Sequence, residues 1–166
     1  MKDVKINIQL ADVHTEVRKV TGYLAAKAAQ DGTLYQQMSV QREQGEVIGT
    51  FVKESLNSVS EVFYIYLRHF SLDGDYESGE LCYELGMPSN WPDLEKELAA
   101  GVTSYLVHMS VSRWLEMTEP GEVRNHAKEY LEKAIGDIDL MRKLCNRRVR
   151  PQRPYEYLTP KEEGDA

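Results

Sequence analysis

Val123 to Tyr155 reads VRNHAKEYLEKAIGDIDLMRKLCNRRVRPQRPY, an amphipathic helix that runs into a basic, proline-broken tail. Val123, Ala127, Leu131, Ala134, Ile138, Met141 and Cys145 recur at spacings of four and three, which places them on one helical face. Arg124, Lys128, Glu132 and Asp139 fall on the opposite face. The end of the helix turns basic, with Arg142, Lys143, Arg147, Arg148, Arg150 and Arg153 close together in sequence. Pro151 and Pro154 then forbid further helix. A core-forming helix therefore leads into an arm that need not belong to the core.

Working outward, the 166 residues suit one domain able to bury a core without staples. Net charge is −7, unevenly spread: taking the six basic residues of 142–153 from the 20 lysines and arginines leaves 14 against 27 acids. An acidic body argues against a general nucleic-acid binder, because phosphate contacts dominate such affinity. It suits an arm that docks on an acidic protein surface, including that of a neighbouring copy. No apolar run reaches the length of a membrane span, and Met1-Lys2-Asp3-Val4 opens no signal-peptide core. A cytoplasmic protein is expected, or one packaged into something assembled there. Cys82 and Cys145 have no CxxC partner and read as reduced, partly buried thiols.

In chain order, Val4, Ile6, Ile8 and Leu10 alternate with polar residues as in a half-buried strand. Asp12 is placed to cap a helix carrying Val13, Val17, Val20 or Thr21, Leu24 and Ala28, which Asp31-Gly32 closes. Ser39 caps the longest periodic segment, Ile48, Val52, Leu56, Val59, Phe63, Tyr66 and Phe70. Phe51, Val62 and Ile65 widen that stripe, which predicts the centre of the bundle. Leu81, Tyr83 and Leu85 alternate after turn signals at Asp73-Gly74 and Ser78-Gly79. Residues 69–86 are thus a hairpin or a single strand, paired with the N-terminal strand. Pro88 to Asp93 is a helix entry. Leu94, Leu98, Val102, Tyr105 and Met109 line the helix that follows, with Leu106, Trp114 and Leu115 extending it. The short link at Thr118-Glu119-Pro120 predicts antiparallel packing on the opening helix. The fold class is mainly α. Residues 1–146 form a four-helix, bundle-like domain with a small β element, and residues 147–166 form the arm and tail.

No chemistry stands out. His14, His69, His108 and His126 lie at no metal-ligand spacing and read as surface or boundary residues. No serine sits in a nucleophile elbow, and no glycine-rich loop has a phosphate-binding pattern. Asp73, Asp75 and Glu77, with Glu84, imitate an EF-hand loop, but Ser78 stands where the turn glycine belongs. That segment reads as a solvated hairpin tip. Catalytic residues, metal ligands and cofactors are therefore all expected to be none, and the chain is not expected to be an enzyme.

The arm keeps three readings. Cations at a helix C-terminus gain about 0.3–1 kcal/mol from the dipole, which accounts for Arg142 and Lys143 only. A nucleic-acid arm has Tyr155 and Tyr157 as stacking partners. A protein-docking arm matches the stiff, extended Arg-Pro-Gln-Arg-Pro-Tyr run, rich in interface residue types. Its contact residues would be Arg147, Arg148, Arg150, Pro151, Arg153, Pro154 and Tyr155.

The order of these features carries a resemblance. A strand ends in Leu85-Gly86-Met87-Pro88, and Trp91-Pro92 opens an apolar helix closing with Arg113-Trp114-Leu115. A helix from about Pro120 then ends in Arg147-Arg148-Val149-Arg150-Pro151. Over residues 40–155 the chain resembles the small helical head–tail connector (head-completion or adaptor) proteins of tailed bacteriophages, in their Bacteroides-type prophage version. The N-terminal strand and the hairpin are additions to that pattern. The resemblance implies a non-enzymatic structural protein of the virion, many copies forming an oligomeric ring between portal and tail. Arms would dock on neighbours or on the portal, and DNA would pass the lumen without specific binding or any membrane role. The alternative is a small helical nucleic-acid-binding or regulatory module that uses the basic arm.

Overall fold

A computed structural model describes residues 1–28, 36–118 and 126–150, the side chain of residue 28 excepted. Among them the fold is mainly α, with four long helices and a small antiparallel sheet. Strand β1 (Lys2–Gln9) passes without a loop into α1 (Leu10–Ala28). A 3-10 turn (Arg42–Gln44) leads into α2 (Gly45–Phe63), followed by β2 (Leu67–Asp73), β3 (Glu80–Met87), α3 (Glu95–Thr118) and α4 (His126–Cys145).

The sheet order is β1-β3-β2, so the hairpin expected around residues 69–86 forms and its second strand pairs with the N-terminal strand. Val4, Ile6 and Ile8 face Leu85, Tyr83 and Leu81 across the ladder. All six are buried. The other face is polar, and Lys5 meets Glu84 there at 2.7 Å. This one-sided burial is what alternating antiparallel strands encode. Gly74, at φ +95°, provides the left-handed backbone that starts the 74–79 turn.

The hub of the domain is α3, which packs against α1, α2, α4 and β1. That corrects the expectation that the Ile48–Phe70 segment is central. Leu98, Val102, Leu106, Val111, Trp114 and Leu115 are all buried, and they cover most of the helix circumference. A helix apolar on every side is one surrounded by others, and a single-stripe reading understates it. Gly101 lets α4 approach closely, because a Cβ there would come within 2.9 Å of the Met141 Cγ. Gly101 beside Met141, His108 beside Asp137 and Ser112 beside Ala127 run in opposite chain directions, so α3 and α4 are antiparallel.

Three element boundaries differ from the sequence expectation. Helix α2 stops at Phe63, and Tyr66 and Phe70 reach the core from the turn and β2 instead. Their spacing fits either period, and pairing with β3 decides for the strand. Ile65, expected in the helical stripe, is 73% exposed. Ser39 is buried rather than capping a helix; the Gln41 N–H donates to the Gln44 side-chain oxygen at 2.7 Å before α2 begins. Asp12 lies in the first turn of α1, not ahead of it, because the helix starts directly after β1. The stop at Asp31-Gly32 and the link at Glu119-Pro120 lie outside the described residues.

Candidate docking arm and its root

The last turn of α4 is held by contacts that arise far away in sequence. The buried Trp91 donates its indole N–H to the Leu144 carbonyl at 2.9 Å. Cys145 is buried, and burial pushes its thiol up to about 11, so it stays protonated and unreactive. The Asn146 N–H bonds back to the Arg142 carbonyl, and the Arg147 N–H to that of Leu144. These satisfy carbonyls that a helix end leaves open.

Arg148 closes the end. Its Nη1 donates to the Cys145 carbonyl at 2.8 Å and the Arg147 carbonyl at 2.7 Å. Its Nη2 donates to the Tyr66 hydroxyl at 2.9 Å, and that hydroxyl donates in turn to the Asn146 side-chain oxygen at 3.2 Å. One residue on, the Val149 N–H donates to the Asn90 carbonyl at 2.8 Å. The segment after α4 is thereby fastened against the loop between β3 and α3 and against the start of β2.

The expected docking residues consequently separate. Arg148 is half-buried and engaged within the fold, which makes it a clamp for the root of the arm. Arg147 and Arg150 are exposed. Pro151, Arg153, Pro154 and Tyr155 lie outside the described residues. Tyr66, Asn90 and Asn146 are parts of the root that sequence reasoning missed. In the sequence Trp91 marks only a helix entry, and no local pattern links it to a carbonyl more than fifty residues on.

Several of the other residues singled out in the sequence make contacts within the fold. His14, expected at the surface or boundary, is buried and donates Nε2–H to the Tyr76 carbonyl at 2.9 Å; burial lowers its pKa and keeps it neutral. His108 Nδ1 lies 2.6 Å from an Asp137 oxygen and ties α3 to α4. At the hairpin tip, one Asp75 oxygen accepts from the backbone N–H groups of Ser78 and Glu77 and from the Ser78 hydroxyl. Those bonds hold its carboxyl below the usual range. Glu84 is paired with Lys5 across the sheet, so the EF-hand imitation does not converge on a cation site. Among the described residues no three His, Cys, Asp or Glu side chains gather at metal-binding distance, and no helix is long and apolar enough to cross a membrane.

Comparison of the chain with protein-family models, with curated proteins and with solved structures gave no match.

Proposed function

We propose that this chain is a structural, non-enzymatic subunit of a head–tail connector ring, joining portal and tail in a virion and docking on its neighbour through the C-terminal arm. The observation that carries the reading is the clamped root. Arg148 and Val149 fasten the start of the arm to Tyr66 and Asn90, so its origin on the body is a fixed point. A fixed departure lowers the ordering cost of docking, as preorganisation does in general. The strongly acidic remainder of the chain provides a complementary surface on the next copy, and repeated head-to-tail contacts close into a ring. An acidic lumen would let a DNA duplex pass without holding it.

The test is native mass measurement and electron microscopy of the full chain beside a form ending at Arg150. That deletion removes the arm and retains the clamp. Ring-like oligomers are expected for the full chain and monomers for the shortened one, with the same helical content by circular dichroism. Normal assembly of the shortened form overturns the reading. Salt-dependent DNA binding that falls when Arg147 and Arg150 become alanine, with no oligomer formed, would favour the nucleic-acid module instead.

A further inference from the structure

Strand β2 is the less covered edge of the sheet. Strand β1 turns Val4, Ile6 and Ile8 fully into the core, whereas the corresponding β2 residues Leu67, Phe70 and Leu72 are only half-buried. Among the described residues, no backbone hydrogen bond reaches the side of β2 away from β3. A cleft of about 550 Å³ opens beside it, between Phe70 and Tyr76 on one wall and α2 on the other, where Lys53, Asn57 and Ser60 project. An open strand edge next to a part-aromatic, part-polar trough is the setting for strand addition, in which backbone pairing gives affinity and alternate side chains give specificity.

We infer that the occupant of this edge is the Tyr155–Thr159 segment of a neighbouring copy, added antiparallel to β2 as a fourth strand. The inference rests on the arm-docking reading above and names the surface that receives the arm. Tyr-Glu-Tyr-Leu-Thr is rich in strand-forming residue types and bounded by Pro154 and Pro160, so its length is set at five residues. The ladder between β2 and β3 has a register irregularity at Leu67/His69 and runs regularly from His69 to Asp73, again five residues. In such a strand Tyr155, Tyr157 and Thr159 share one face. Turned inward, the two tyrosines would lay rings on Phe70 and Tyr76 and offer hydroxyls to the polar wall of α2.

Charge and reach choose the direction and the donor. Antiparallel addition brings Arg150 and Arg153 to the acidic end of β2, where Asp73, Asp75 and Glu77 lie. Parallel addition would bring them toward Arg68 and the clamped Arg148. Its own arm cannot supply the antiparallel strand, because the root is held at the Tyr66 end of β2. The five steps from Arg150 to Tyr155 span at most about 18 Å. The seven steps from Tyr66 to Asp73, along β2, run about 23 Å. The strand must therefore come from a second copy.

The test is amide hydrogen exchange on the full chain, read at β2, with a Tyr157→Pro variant that cannot donate in a ladder and a Tyr157→Phe control. In the assembled protein the amides of β2 that point away from β3 should exchange at least tenfold more slowly than in Tyr157→Pro. Tyr157→Phe should keep that protection, and dilution to monomer should remove it. Equal exchange in the wild type and Tyr157→Pro overturns the inference, as does protection that persists in the monomer. Protection appearing instead on α4 around Ile135 and Ile138, which line a second groove against Tyr105 and Met109 of α3, also overturns it. If removing residues 151–166 abolishes assembly while β2 exchange never changes, the arm docks elsewhere and only this inference falls. If assembly survives that removal, arm docking falls as well.

Discussion

Arg148 reaches back eighty-two residues to place a guanidinium nitrogen 2.9 Å from the hydroxyl of Tyr66, at the foot of β2. That contact joins the end of the last helix to the beginning of the sheet edge. Replacing Arg148 with alanine should lower unfolding free energy by about 1 kcal/mol, discounted because the site is only half-buried. Tyr66→Phe should cost less, and the two together should be non-additive by about 0.5–1 kcal/mol in a urea-denaturation double-mutant cycle. Strict additivity would mean the Arg148–Tyr66 contact carries no coupling energy.

Gly101 sits where α4 crosses α3, and Met141 occupies the space a side chain would need. Gly101→Val is expected to destabilise by about 1–3 kcal/mol through overpacking. Gly101→Ala should be milder, since alanine regains about 1 kcal/mol of helix propensity. Thermal unfolding of both variants checks this order. A valine variant as stable as the parent would contradict the close approach of the helices.

Burial lowers the pKa of His14 below its ordinary 6.5, so the native state refuses a proton that the unfolded chain accepts. Its stabilising effect is complete above the unfolded value and is lost as pH falls through 6.5 toward the depressed native value. Stability measured by denaturant at pH 7.5 and 5.5 should therefore drop more in the parent than in His14→Gln. Glutamine can keep the bond to the Tyr76 carbonyl without titrating. An identical drop in both proteins would remove His14 as the cause.

Tyr83 is packed against Phe63 and Phe70, and its buried hydroxyl faces Ser60 without a hydrogen bond of full geometry. Burial pushes its pKa upward, against the smaller opposing effect of Ser60. A buried hydroxyl so weakly paired adds little to folding, so Tyr83→Phe should be neutral to within about 1 kcal/mol. A loss larger than about 1 kcal/mol in urea denaturation would show that the hydroxyl is bonded after all.

The alternation of Val4, Ile6 and Ile8 against polar neighbours was enough to place β1 and its buried face. The same holds for Leu81, Tyr83 and Leu85 in β3, because each strand has one dry side and one wet side. Leu98, Val102 and Tyr105 likewise announced a helix, and the short link after Thr118 announced an antiparallel neighbour. Tyr66 and Phe70 misled because spacings of three and four are shared by a helical stripe and by a turn followed by a strand. Of the candidate site, the basic character of Arg147 and Arg150 was visible in the sequence. The different fate of Arg148 was not.

Local periodicity thus determined which residues form helices and strands and which face of each is apolar. It also marked the change from an acidic body to a basic, proline-stiffened arm. Tertiary structure alone decided that α3 is the hub, that β3 lies between β1 and β2, and that Arg148 is spent on Tyr66 while the side chains of Arg147 and Arg150 stay exposed. Those outcomes depend on contacts between residues tens of positions apart, and nothing in the local pattern of either partner records where the other will lie.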